Sequence, residues 1–210
     1  MRWRGREEST NIEDRRGIGG GGIAIGGGLG TLVIALLAFL FGADPRQLLE
    51  QAPPAEQAPP AASRPGDAPP DEGRQFVAVV LRDTENVWND LFRRNGRQYQ
   101  EPRLVLFRNR VDSACGMATS AVGPFYCPAD GKVYIDLGFF DELKSQFRAP
   151  GDFAQAYVIA HEVGHHVQNL LGTMDKVNSL QQRSRGSAQA NQLSVRLELQ
   201  ADFYAGLWAH

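Results

Sequence analysis

The chain of 210 residues is long enough for one globular domain with appended segments, because domains commonly run to about 100 to 200 residues. Its formal net charge of -2 and its isoelectric point near 6.1 provide no overall basic field. Nucleic acid is therefore excluded as an expected partner. The composition changes sharply along the chain, and the different regions predict different structures.

The N-terminal part of the chain combines a basic segment, residues 1–17, with an uncharged one. Residues 18–43 contain no Asp, Glu, Lys or Arg, and their largely apolar second half predicts a transmembrane helix, which needs roughly 20 mainly apolar residues. A cleaved signal peptide or a glycine-rich linker is the alternative, but no convincing Ala-x-Ala cleavage site follows Phe41. Five arginines precede this stretch: Arg2, Arg4, Arg6, Arg15 and Arg16.

The orientation of the chain follows from these arginines, because Lys and Arg are concentrated at the cytoplasmic end of a membrane span. They place residues 1–17 in the cytoplasm and everything beyond the span outside it. Residues 44–73 hold most of the 12 prolines, mixed with Ala, Gln and Glu. Such a composition cannot bury enough apolar surface to fold and predicts a semi-extended linker. The globular domain is expected over residues 74–210.

The first part of that domain predicts one helix followed by a small sheet. Apolar residues recur at helical spacing from Phe76 to Phe92, and Asn95 with Gly96 ends the pattern. Two short runs, Leu104–Phe107 and Lys132–Leu137, are rich in β-branched and aromatic residues and are bounded by Pro and Gly. Each of them predicts a strand.

Cys115 and Cys127 are the only cysteines, and both precede the second predicted strand. If the domain lies outside the cytoplasm, a disulfide between them is expected. Two buried free thiols are the alternative.

A second helix is predicted from Phe153 to Leu171. The pair Asp152 and Gln155 has the spacing of a capping box, and Gly172 is a suitable stop. An apolar stripe at helical spacing runs through the segment.

This helix carries a candidate metal site. His161 and His165 project from one face on successive turns, and neutral imidazole is a good zinc ligand. Three of the four histidines lie at positions 161, 165 and 166, which argues against chance. Zinc lowers the pKa of bound water to about 7. Glu162, about 100° around the helix from its neighbour, is placed to accept a proton from that water as general base.

A catalytic zinc site needs a third protein ligand. The metzincin continuation requires Gly and His where this chain has Gln168 and Leu171, so that route fails. A further helix is predicted from Leu193 to Trp208, and it carries Glu198 and Asp202 on one face. Glu198 is the expected ligand, and Asp202 is expected to accept a hydrogen bond from a ligating histidine. The alternatives are a solvated acidic face and ligation by His210.

With these residues, the chain resembles a family of bacterial membrane proteins, the putative neutral zinc metallopeptidases. The resemblance extends over nearly the whole chain and includes the Met1–Trp3 start and the glycine-rich apolar stretch. Its specific motifs are Gly123–Pro128, Ala160–Gln168 and Glu198–Asp202, and the long His-Glu block is the most specific of them.

The resemblance implies an α+β, helix-rich, zincin-like domain of gluzincin type with a small sheet. It implies zinc held by His161, His165 and Glu198, with Glu162 as the catalytic base. The zinc-activated water predicted from these residues is expected to act on peptide or protein substrates. Together with the predicted span and the arginines before it, the resemblance to bacterial membrane proteins leads us to expect a single-pass protein of the inner membrane with a periplasmic or extracellular domain. Proteins of this family normally continue past the position of His210, so a longer chain is expected. A catalytically inactive binding or scaffold protein tethered to the membrane is the alternative. The intact Glu162 argues against that alternative.

Overall fold

Five α-helices and a small β-sheet make up most of the part of the chain that the structure describes. The computed structural model describes residues 1–16, 71–145, 151–184 and 186–210, and all of them belong to one compact unit. The helices are α1 (Glu72–Arg94), α2 (Gly138–Ser145), α3 (Asp152–Leu170), α4 (Thr173–Gln182) and α5 (Ser187–Ala209). The strands are β1 (Ile12–Asp14), β2 (Arg103–Phe107), β3 (Arg110–Ser113), β4 (Gly116–Thr119), β5 (Phe125–Cys127) and β6 (Lys132–Asp136). The α+β class with a small sheet is confirmed.

The main sheet has four strands in the order β1-β2-β6-β5. The β1/β2 and β2/β6 pairs are parallel, and β5 runs antiparallel to β6 at one edge. Strands β3 and β4 form a separate antiparallel hairpin. The two strands predicted from the sequence, β2 and β6, are the central ones, because only strands covered on both faces read as continuous apolar runs.

Alternate residues of the central strands face two different layers, as the two-residue repeat of a strand requires. Leu104 and Leu106 of β2 join the larger apolar cluster, which also contains residues of α1 and α3. Val105 and Phe107 join a smaller cluster with Val111 of the β3–β4 hairpin. The helices therefore cover one face of the sheet and the hairpin covers the other.

Helix α1 begins two residues before the predicted domain start. The side chain of Asp71 caps it by accepting a hydrogen bond from the backbone N–H of Arg74 at 3.0 Å. Acidic Glu72 lies in the first turn and basic Arg93 in the last, which complements the helix dipole.

Helix α3 matches its predicted range, but the predicted capping box is wrong. Gly151 is the N-cap, with a φ of 124°, and no side chain caps the helix. Asp152 is the first helical residue, and its carboxylate accepts a hydrogen bond from the indole N–H of Trp3 at 3.0 Å. The sequence pattern predicts that the Asp152 carboxylate caps the helix. In the structure, this carboxylate instead binds Trp3, which is distant in the chain. Gly172, which follows the helix, has a φ of 73°, as expected for a stop.

Residues 1–16, expected as a separate basic segment, pack onto the domain instead. Ile12–Asp14 form the edge strand β1, and Trp3 is a member of the larger apolar cluster. No local pattern predicts this strand, because Ile12-Glu13-Asp14 lacks the alternation of a half-buried strand.

The predicted span, residues 18–43, and nearly all of the predicted linker, residues 44–73, lie outside the described residues. Within the described ranges, the structure contains no helix that is both long and apolar enough to cross a membrane. Cys115 and Cys127 are joined by a disulfide with a Cα–Cα distance of 5.8 Å. This bond ties the β3–β4 hairpin to the end of β5.

Candidate metal centre

Two helices bring together the three side chains expected to bind the metal. His161 and His165 lie on successive turns of α3, and Glu198 comes from α5. The Oε2 atom of Glu198 lies 3.3 Å from Nε2 of His161 and 3.4 Å from Nε2 of His165. One potential ligand atom from each of the three residues lies within 4.8 Å of the other two.

These distances fit a zinc ion. Ligands held about 2.1 Å from a tetrahedral ion lie about 3.4 Å from one another, which matches both separations from Glu198. Two imidazoles and one carboxylate form the donor set of catalytic zinc sites, which leave a fourth position open. The Glu198 side chain is 55% exposed and that of His165 is 11% exposed, so one side of the group faces solvent.

The ring of His165 is oriented by Gln168, one turn further along α3. The amide nitrogen of Gln168 donates to the backbone oxygen of Leu197 at 2.7 Å and to the side-chain oxygen of Gln200 at 3.1 Å. The amide oxygen of Gln168 therefore faces Nδ1 of His165, at 2.9 Å, and only accepts. The proton must lie on Nδ1 of His165, which leaves the Nε2 lone pair for a metal.

Asp202 orients His161 in the same way. Its Oδ1 atom lies 2.9 Å from Nδ1 of His161 and 3.1 Å from the hydroxyl of Tyr157. Because a carboxylate only accepts, the imidazole proton of His161 lies on Nδ1 and Nε2 is free to bind an ion. Hydrogen bonding to Asp202 and, above all, burial raise the pKa of Tyr157.

Glu162 lies beside this group but is not one of its three ligands. It is 8% exposed, and this burial raises the pKa of its carboxyl group to about 7. His161 and a hydrogen bond from the Tyr126 backbone oppose the shift, whereas the charge of Glu198 adds to it. A cation between the imidazoles would lower this raised pKa, because positive charge favours the carboxylate.

A cleft of about 310 Å³ opens next to His161 and Glu162. Its other walls are mostly apolar and come from the segment before β5, from α2 and from α3: Val122, Gly123, Pro124, Phe139, Tyr157 and Val158. The candidate base and one candidate ligand therefore face a space that is large enough for a substrate side chain.

The family model of the putative neutral zinc metallopeptidases matches residues 1–210. The chain belongs to this family. The expectation drawn from the His-Glu block is thereby confirmed at the level of the family.

Similar proteins occur in Escherichia coli and Mycobacterium tuberculosis. The chain is 48% identical over 219 residues to the uncharacterized protein YpfJ of Escherichia coli (strain K12), with 100% of this chain and 75% of YpfJ covered. It is 41% identical over 184 residues to the uncharacterized protein Rv2575 of Mycobacterium tuberculosis (strain ATCC 25618 / H37Rv), with 82% of this chain and 58% of Rv2575 covered. No solved structure matches the chain.

The other two histidines of this metallopeptidase-family chain lie elsewhere. His166 is buried, and its Nε2 donates to the backbone oxygen of Gln100 at 2.6 Å while Nδ1 faces the hydroxyl of Tyr126 at 3.2 Å. Burial lowers the pKa of His166. Both ring nitrogens contact Gln100 and Tyr126, away from the candidate ligand group, so His166 is a packing residue. His210, the rival of Glu198, lines a separate cleft with Met1, Arg6 and other residues.

Two residues of the site were not predicted from the sequence. In the sequence, Gln168 is recognised only as a residue that departs from the metzincin pattern. Gly164 is recognised only as part of the Ala160–Gln168 motif. The structure places Gly164 where α3 touches α5, against the backbone of Ala201. The spacing of Gln168 from His165, one helical turn, is the signal that could have identified it.

Proposed function

We propose that this protein is a zinc-dependent peptidase that hydrolyses peptide bonds in peptide or protein substrates. The observation that carries the proposal is the convergence of Nε2 of His161, Nε2 of His165 and Oε2 of Glu198 beside the buried carboxyl group of Glu162. Membership of the metallopeptidase family supports the same reaction.

His161, His165 and Glu198 would hold the zinc ion. When bound in such a site, zinc lowers the pKa of a water molecule and polarises the carbonyl group of a substrate. Gln168 and Asp202 keep the proton of each imidazole on Nδ1, so that both rings present a lone pair to the same point.

Glu162 is the proposed general base. It accepts a proton from the attacking water and transfers it to the amine that leaves when the peptide bond breaks. Its burial excludes bulk water from the carboxyl group, and the Tyr126 backbone holds it by a hydrogen bond. The protein thus supplies a fixed proton acceptor beside its proposed metal ligands.

The adjacent cleft supports a peptide substrate with an apolar side chain next to the bond that is cleaved. Val122, Pro124, Phe139 and Val158 supply most of its apolar wall, and its volume is about 310 Å³. An apolar side chain placed there would leave water on binding, which is favourable.

Location outside the cytoplasm is part of the proposal. The Cys115–Cys127 disulfide supports it, because disulfides persist mainly in oxidising compartments. Attachment to the bacterial inner membrane through residues 18–43 is proposed from the uncharged composition of that stretch, which lies outside the described residues.

The test compares the full-length protein with two variants, Glu162→Gln and Glu198→Gln. Glu162→Gln should retain its zinc and lose hydrolysis of a casein-derived peptide library by about 100-fold or more. Glu198→Gln should lose both zinc and activity. Undiminished cleavage by Glu162→Gln would refute the proposed base, and a wild-type protein that binds zinc without cleaving any peptide would favour the scaffold alternative.

A further inference from the structure

The N-terminal segment, Met1–Arg16, is built into the sheet of the metal-binding domain. Strand β1 pairs with β2 in parallel register, with Ile12 opposite Leu104. The pairing is extended at both ends, because Leu104 N–H donates to the Asn11 oxygen at 2.9 Å and Arg15 N–H donates to the Leu106 oxygen at 2.8 Å. Strands paired in this way lie about 4.8 Å apart.

Side chains of the same segment complete the core and a buried polar group. Trp3 is 5% exposed, packs edge-to-face on Phe76 with ring centroids 5.5 Å apart, and donates to Asp152 of the metal-binding helix. Ser9 Oγ donates at 2.6 Å to Glu85, which is 0% exposed. Without the segment, Phe76 and the β2 edge would be exposed and Glu85 would lose this donor.

Arg16, the last residue of the N-terminal segment, lies next to Asp71, where the described part of the domain begins. The guanidinium group of Arg16, at the end of the segment, pairs with Asp14 and also with Asp71, the N-cap of α1. Positions 16 and 71 are therefore adjacent, whatever path residues 17–70 take.

Three of the five arginines that predict a cytoplasmic N-terminus form ion pairs with carboxylates of the domain. Arg4 pairs with Glu72 at 3.2 Å and Arg6 pairs with Asp83 of α1. Together with the Arg16 pair to Asp71, three of these arginines bridge to carboxylates at the start of the domain. Their clustering therefore has a structural explanation that is independent of membrane orientation.

We propose that Met1–Arg16 and the metal-binding domain lie on the same side of the membrane. A hydrocarbon layer about 30 Å thick cannot separate two strands of one sheet or the two partners of an ion pair. An odd number of crossings between positions 16 and 71 is incompatible with this fold. The proposal gives up the single crossing expected of residues 18–43, with a cytoplasmic N-terminus and an external domain. In its place, the N-terminal segment and the domain share one compartment. This inference does not depend on zinc or on catalysis.

The first test measures sidedness in cells that produce the full chain. Arg2→Cys and Gln192→Cys each place one thiol at an exposed position, in the N-terminal segment and in α5 respectively. A membrane-impermeant maleimide should label both variants to the same extent in intact spheroplasts, with the unmodified chain as the background control. The expected result is that the thiols at positions 2 and 192 are both labelled, or that both are protected until the membrane is opened. Labelling of one and protection of the other overturns the proposal.

The second test measures proximity in the same membranes. Arg4→Cys combined with Glu72→Cys replaces an exposed ion pair, so a short thiol crosslinker should join the two positions within one chain. Peptide mass spectrometry identifies the linked peptides, and each single variant is the control for crosslinks between molecules. Absence of the intrachain link, when both thiols react with a monofunctional maleimide, also overturns the proposal.

Discussion

Gly164 of α3 lies against the backbone of Ala201 of α5, so closely that a Cβ atom at position 164 would come within 2.9 Å of the Ala201 oxygen. Real Cβ atoms do not approach an oxygen this closely, and the obstacle is backbone that cannot rotate away. The contact sets the distance between the helix that carries the two histidines and the helix that carries Glu198. The geometry of the candidate metal site thus depends on the absence of a methyl group at position 164.

Gly164→Ala should weaken zinc binding and destabilise the fold by about 1–3 kcal/mol, because the two helices must move apart. Gly206→Ala is the matched control: it lies on α5, and nothing lies within 4 Å of its added Cβ. The control should keep zinc affinity and gain up to about 1 kcal/mol of stability from the better helix propensity of Ala. Chelator competition and chemical denaturation measure the two effects. Wild-type zinc affinity in Gly164→Ala would contradict the packing argument.

Gln168→Leu should lower zinc affinity by about 10- to 100-fold, the range typical for a residue that holds a ligating histidine. The change removes the acceptor for Nδ1 of His165 and the donor to the Leu197 oxygen, while the side-chain volume is nearly kept. Gln192→Leu, at an exposed position of α5, is the control and should leave affinity unchanged. Competition with a chromophoric chelator measures both. Equal affinities for the two variants would show that Gln168 has no role in ordering the ring.

The long helices and the two central strands could be predicted from the sequence because their signals are local. The 3.6-residue repeat of α3 and the continuous apolar runs of β2 and β6 can be read within each segment, because they show which of its residues are buried. The spacing of His161 and His165 belongs to the same class of signal. The placement of Glu198 near both rings depends on how α5 packs on α3.

Strand β1 and the role of Gly164 could not be predicted, because each depends on a distant part of the chain. The spacing of Gln168 from His165 is a local signal, but the contacts that fix the Gln168 amide come from α5. β1 is held by β2, which supplies its hydrogen bonds, and not by any preference of Ile12-Glu13-Asp14. Gly164 is needed only because Ala201 approaches it, and Gln168 is fixed by the backbone of α5. Such tertiary contacts leave no periodic pattern in one sequence.

Ser9→Ala should destabilise the full-length protein by about 1–3 kcal/mol, the usual cost of removing a hydrogen bond from a buried charged group. The hydroxyl donates at 2.6 Å to Glu85, which is 0% exposed. Thr10→Ala, at the exposed neighbouring position, should change stability by less than about 0.5 kcal/mol. Urea denaturation followed by circular dichroism gives both values. Equal stabilities of the two variants would mean that the N-terminal segment contributes little to the core.

Arg16→Gln should destabilise the protein at neutral pH, and this loss should disappear in acid. Hydrogen bonding to Arg16 is the largest cause that lowers the pKa of both Asp14 and Asp71. A carboxyl group whose pKa is lower in the folded protein contributes stability above its unfolded pKa of about 3.9 and loses it as the pH falls through the lowered value. The pairs with Arg16 therefore stabilise the fold at pH 7 and stop doing so below the lowered pKa values.

The measurement is the free energy of unfolding of wild type and Arg16→Gln between pH 7 and pH 2. The difference should be constant from neutral pH down to about pH 5 and shrink below about pH 4, where Asp14 and Asp71 begin to take up protons. Arg93→Gln is the control, because Arg93 pairs with Asp90 at the far end of α1, away from the N-terminal segment. A difference that grows in acid would have the wrong sign for lowered carboxyl pKa values. It would show that Arg16 stabilises the N-terminal segment through contacts other than these two carboxylates.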